Sequence, residues 1–342
     1  MLFRSRAADN LFWLGRYIEY ADWTFRVLRT CLSRLEDDNG PHQNLALMRA
    51  TLNAQLERDG ALAVTVPPGL DDAQAIATLG RALATSTDRA SALPQILAQV
   101  HRIASLTRDR LSLESWRTLN AFYTSRRWEP QSLPDSVGQT LDLIDAGLRV
   151  VAAFNGLSHE NMTRNFGWSF LDMGRRITRA QNLSQVLGIA FERAETGEDN
   201  AARLLFVLEL ADSFITYRSR YRLTPMVAPV LELLISDETN PRSLGFQIAA
   251  LSTHVEVLPQ AGPGRGRTEA QRIVLAMIND IRLADVVKLA ETEAGGRRPA
   301  LSALLESHTT QLPQLTDALT RRYFSVIEKE PKWARAKSRL LP

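Results

Sequence analysis

Apolar residues recur at helical spacing along almost the whole chain. The clearest run lies near the N-terminus, where Leu11, Leu14, Ile18, Ala21, Phe25, Leu28, Leu32 and Leu35 follow one another in steps of three and four. That is the stripe of a helix in an antiparallel bundle or coiled-coil seam, and it predicts a helix over about 7–35. Further helices are predicted over about 44–58, from 71–72 onward, as a pair over 88–123 turning near Ser112, and over 135–155 with a turn at Asn155–Gly156. The pattern continues over about 159–195, 200–221, 228–235, 241–257, 268–294 and 299–329. Asp71 and Asp72 are acidic residues suited to a helix start. Asn240–Pro241 offers a capping side chain followed by a proline that loses no needed N–H at the first helical position. Strand signals are thin: residues 63–66 (AVTV) read as extended, and one short run makes no sheet. The expected fold is all-α.

A glycine stands inside the first helix, in NLFWLGRYIEYAD (residues 10–22), and the stretch recurs. FLDMGRRITRAQ (170–181) aligns with LFWLGRYIEYAD (11–22), so that Gly15 meets Gly174, Arg16 meets Arg175, Ile18 meets Ile177 and Ala21 meets Ala180. The apolar phase is kept by Phe170, Met173, Ile177, Ala180, Leu187 and Phe191, with Ser184 the polar exception opposite Phe25. The pattern predicts an internal duplication, with lobes over about 1–155 and 156–330 and a basic tail over 331–342. A glycine inside a helix costs about 1 kcal/mol relative to alanine. Bearing that cost in both copies implies a packing reason: Gly15 and Gly174 are expected where two helix backbones cross. Arg16 and Glu19 lie three apart and are expected to pair. Thr178 replaces the glutamate in the second copy, so Arg175 is expected to take a partner from elsewhere, Glu19 across the crossing being one.

The opening stretch, GLSHENMTRNFGWSFLDMGRRITRA (156–180), ADSFITYRSRY (211–221), NPRS (240–243) and, more weakly, LSLESWRTLN (111–120) resemble the bacterial alpha-E domain family over essentially the whole chain. The resemblance implies a single all-helical domain. It also implies partners, since such proteins occur beside or fused to circularly permuted ATP-grasp proteins and transglutaminase-like cysteine peptidases, in a system thought to make or modify peptides through amide bonds. The family's characteristic glutamate falls on Glu19. Thr178 departs from the second such position, which weakens any mechanism needing two symmetric carboxylates.

Composition narrows the chemistry. The chain has 342 residues, 45% hydrophobic and 23% charged, the mix of a folded protein. Its net charge of +3 is too small for this length to point to nucleic acid. Only four of the 41 basic residues are lysines, so an arginine in any motif carries less weight. No apolar run nears the roughly 18 residues that cross a bilayer, and the polar start is unlike a secretory signal; a cytoplasmic protein is expected. The single cysteine, Cys31, sits on the helix seam as a small hydrophobe. The histidines His42, His101, His159, His254 and His308 are scattered, and Thr163 stands where a second zinc histidine would complete HExxH from His159. PGRGR in the loop 259–267 lacks the Lys-Ser/Thr end of a phosphate loop. No metal and no cofactor are expected.

The candidate site is a polar stripe. Glu160, Asn161, Arg164, Trp168, Asp172 and Arg175 recur at helical steps, and Arg218 lies between Tyr217 and Tyr221 near Asp212. Arginine forks suit carboxylates, and tyrosines stack or donate. These residues with Arg16 form either a ligand cleft or a self-satisfying polar layer. Three functions fit: a non-catalytic accessory or binding subunit working with an ATP-grasp ligase, an enzyme on a peptide or aminoacyl group with Glu19 as general base, or a helical scaffold.

Overall fold

Helix α1 (Arg6–Glu36) is the centre of the molecule. Residues 21–28 are buried without exception, so α1 hides two full turns on all sides rather than a single stripe. The computed structural model describes residues 5–36, 44–58, 63–125, 128, 136–194, 196–222, 224–259 and 266–324. Fourteen α-helices make up these residues, with π-helical turns at Glu232–Ser236 and Thr320–Phe324 and no strand. The all-α expectation holds, and residues 63–66 are irregular. Among the described residues no helix is long and apolar enough to cross a membrane.

Around α1 pack α4 (Leu93–Leu106) and α6 (Val137–Asn161), with α5 (Leu113–Thr124) behind them and the pair α2 (Leu45–Leu56) and α3 (Asp72–Thr85) alongside. Its most extensive neighbour is α7 (Phe166–Ala190), the helix that carries FLDMGRRITRAQ. On its other side α7 is covered by α11 (Leu244–Val257) and α14 (Pro299–Leu319), which are bridged by α12 (Glu269–Arg282). The short helices α8 (Gly197–Leu210), α9 (Phe214–Tyr221), α10 (Val227–Leu231) and α13 (Val286–Ala290) close the rest. One continuous apolar cluster runs from Leu11 and Phe25 through Phe170 and Leu187 to Leu315.

Local chemistry sets most boundaries. Asp71 caps α3, and its partner Gln74 reaches back to close a capping box. The predicted turn at Asn155–Gly156 does not form: α6 runs on to Asn161, since Gly156 faces open space and nothing there forces a break. The chain turns at 162–165 instead, where Asn165 caps α7. The helix expected over 200–221 splits at Asp212, whose φ of 51° is left-handed. Asn240–Pro241 does not start α11; Ser243 caps it, and Asn240 instead donates from Nδ2 to the Leu233 carbonyl at 3.0 Å. The helix expected over 268–294 breaks after Arg282, where Asp285 caps α13. Residues 260–265 of the basic loop and everything after 324 lie outside the described residues.

Candidate functional site

The site is built on the crossing of α1 and α7. A Cβ on Gly15 would lie 2.0 Å from the Leu171 carbonyl oxygen, and a Cβ on Gly174 would lie 2.1 Å from that of Phe12. Each glycine therefore seats the backbone of the other helix, reciprocally. This local reciprocity concerns the crossing alone and does not establish a duplication of the whole chain.

Backbones this close force the residues beside the glycines to meet. Arg179 of α7 grips Glu19 of α1 with both arms, Nε to Oε1 at 2.5 Å and Nη2 to Oε2 at 2.7 Å. Glu19 is 1% exposed, so the pair is a desolvated, bidentate ion pair. Two further acids extend it. Asp22 accepts from Arg26 at 2.9 Å and from Arg242, just before the Ser243 cap of α11, at 3.0 Å. Asp172 accepts from Arg176 at 3.1 Å and Arg175 at 3.3 Å, and lies 2.9 Å from His254 Nε2. Gln247 ties the layer to the backbone by donating to the Pro241 carbonyl, which Arg179 also reaches.

The electrostatics follow from this crowding. Burial alone would raise the Asp22 carboxyl, but Arg26, Arg242 and Arg179 outweigh it and hold the group far below the usual carboxylate range. At Asp172 burial is likewise overcome, by the His254 hydrogen bond and by Arg176 and Arg175. Arg179 is raised, because its contact with Glu19 exceeds the cost of burial. Arg175 goes the other way, to about 10: burial and the neighbouring Arg176 and Arg179 outweigh Asp172.

The residues singled out in the sequence fall in different places. Glu19 and Arg175 are in the layer, but not as partners. Arg175 takes Asp172, three residues earlier on its own helix, and Glu19 takes Arg179. Arg16 does not pair with Glu19. It turns to Tyr20 (2.6 Å), Gln181 (2.9 Å) and Thr316 (3.2 Å), with its Nε buried and unpartnered. Asp212 joins at the edge, receiving Arg26 at 3.1 Å. Trp168 stands edge-on to His254, and exposed Arg164 lies 4.1 Å over the Trp168 ring. Tyr217 is fully buried, lies tilted against the Tyr221 ring with centroids 4.8 Å apart and accepts from the Met226 amide; Arg218 is exposed over Phe214, outside the layer. Asn161 and Glu160 are exposed at the end of α6. Arg26, Arg176, Arg179, Arg242, Gln247 and His254 were not legible as site residues. Arg176, Arg179 and Arg242 did lie in quoted motifs, and Arg179 also follows Thr178, which aligns with Glu19. Among the described residues no three His, Cys, Asp or Glu side chains gather into a metal-binding group.

A family model described as a predicted alpha-helical domain with a conserved ER motif matches residues 3–324. The chain belongs to the Alpha-E family. It is also similar to uncharacterised proteins of Mycobacterium tuberculosis and Mycobacterium bovis, each 27% identical over 348 residues. These alignments cover 98% of this chain and 39% of either relative, so the Alpha-E chain spans about two fifths of their length. No solved structure matches.

Proposed function

We propose that the chain is a non-catalytic accessory or binding subunit of an amide-bond-forming or peptide-modifying system, working with a separate ATP-grasp ligase. The observation that carries this reading is the closure of the polar layer. The buried carboxylates Glu19, Asp22 and Asp172 are each held by arginines, and both Glu19 oxygens are engaged by Arg179. A general base must come within hydrogen-bond reach of its substrate; Glu19, 1% exposed beneath the Arg179 fork, would need the helix crossing to open first. Such a layer stiffens a helical body and fixes its register. The relatives lend support, since in them this domain is a minority of a longer polypeptide.

We read the Glu19–Arg179 pair as the ER pair of the family description. Adjacent Glu–Arg residues occur at Glu57–Arg58 and Glu192–Arg193, at helix ends. Overlaying the two copies puts Glu19–Tyr20 against Thr178–Arg179, so each copy keeps one half of a Glu–Arg pair. The halves meet across the crossing.

The test is co-expression with an ATP-grasp protein encoded beside the chain. The chain should copurify with it and raise its ligase activity; if neither binding nor activity depends on the chain, the reading fails.

A further inference from the structure

Three segments that carry the family resemblance converge on a cavity of about 570 Å³ away from the buried layer. Leu11 comes from the opening stretch, Leu111 and Ser112 from LSLESWRTLN, and Asn161, Thr163, Asn165 and Gly167 among others from the central motif. The starts of α1, α5 and α7 and the end of α6 enclose it. Those three helix starts are already capped by Ser5, Ser112 and Asn165, each accepting from an amide of its own helix. Their dipoles therefore do not distinguish the cavity; its side chains do.

The floor is apolar and buried, formed by Ala8, Leu11 and Leu111. On the wall, the amide of Asn161 and the hydroxyl of Thr163 are exposed. The lining also carries an ion pair, Arg110 Nε to Asp109 Oδ2 at 3.0 Å. Each feature selects a property of the ligand. A side-chain amide both donates and accepts, as a peptide unit does. A guanidinium next to a carboxylate offers a place for a free carboxylate and one for a free ammonium. The two charges cancel, so the cavity has no bias toward polyphosphate or nucleic acid. The volume lies within the roughly 300–1,000 Å³ of small-ligand pockets, enough for a few residues and too little for a folded chain.

We propose that this cavity binds the terminus of a short peptide, with main-chain amides on Asn161 and Thr163 and the terminal carboxylate on Arg110. The inference deepens the accessory reading, from which it takes the presence of a peptide-like substrate.

The test equilibrates the whole chain with a pool of random tripeptides, with free or amidated C-termini, and identifies those retained by size exclusion and mass spectrometry. Free-acid tripeptides should be retained saturably. Thr163→Trp, which fills the cavity from an exposed position, should weaken retention about tenfold or more at an unchanged thermal midpoint. Arg110→Ala should remove the preference for the free acid, and Asn161→Ala gives a second, milder change should the tryptophan disturb folding. No retained tripeptide, or retention indifferent to all three variants, overturns the proposal. Copurification with the ATP-grasp protein, measured on the same preparations, separates the two failures. If it persists without tripeptide binding, only the cavity assignment falls; if it is absent from the wild-type chain, the accessory reading falls too.

Discussion

Gly15→Ala is the substitution whose sign decides whether the crossing holds the fold together. On an exposed helix face it would stabilise by about 1 kcal/mol, because alanine is the better helix former. At the crossing the new methyl would sit 2.0 Å from the Leu171 carbonyl oxygen, 3.0 Å from its carbon and 3.2 Å from the Arg175 nitrogen. These are backbone atoms, with no rotamer to yield. Restoring an ordinary contact means moving α1 from α7 by more than an ångström. That movement loosens the interface and stretches the Glu19–Arg179 fork. Overpacking a core costs about 1–3 kcal/mol and occasionally more, and a strained buried ion pair adds to it. The net expectation is destabilisation by about 2–4 kcal/mol, after the propensity gain is subtracted. With about 2.1 cal/mol/K per residue over 342 residues, the thermal midpoint should fall by roughly 3–6 °C. Gly174→Ala should behave alike, since its methyl meets the Phe12 carbonyl at 2.1 Å. The double variant should cost less than the sum, because one separation relieves both clashes. Differential scanning calorimetry on the four proteins measures all of this. A midpoint raised or unchanged in Gly15→Ala, or full additivity in the pair, refutes the reasoning.

Glu19→Gln leaves the Arg179 charge buried without its counter-ion and should cost about 3 kcal/mol in chemical denaturation; abolished activity with unaltered stability would instead mark Glu19 as a general base. Thr178→Glu alone should destabilise by burying a second carboxylate, and adding Tyr20→Arg should restore most of the loss by completing the reciprocal pair; a double-mutant cycle without coupling would sink the split-pair reading. His308 is fully buried with both ring nitrogens unpartnered, and burial lowers its pKa below 6.5. A depressed folded pKa contributes stability that is present above about pH 6.5 and is lost as pH falls below it. The depressed Asp22 and Asp172 contribute stability that is lost only below about pH 4. His308→Leu should therefore flatten the loss between pH 6.5 and 5, leave the steeper loss below pH 4, and raise stability at pH 7 by about 1 kcal/mol, as denaturation midpoints against pH will show. Burial pushes the Cys31 thiol up to about 12, so a thiol reagent should label it only at the rate of unfolding; fast labelling of the native chain would contradict that burial.

The sequence by itself determined the helical architecture, the long first helix and the pairing of the two glycines. Helical period is local information, and the cost of a glycine in a helix can be read one residue at a time. Caps such as Asp71 were legible for the same reason. Some boundaries were not, because tertiary contacts override local preference: α6 runs through Gly156, and Ser243 rather than Asn240 caps α11. The identities of the ion pairs were decided only by the tertiary structure. Arg16, Arg175 and Arg179 are alike as letters within two similar helices. Which of them reaches Glu19 depends on the rotation and slide of α7 against α1, and both are set by where two side-chain-free positions let the backbones touch. The cavity is beyond local reading for the same reason. Its walls come from three separate segments, within 5–11, 109–112 and 161–167, and it exists only because four helix ends leave a gap that no pattern along the chain records.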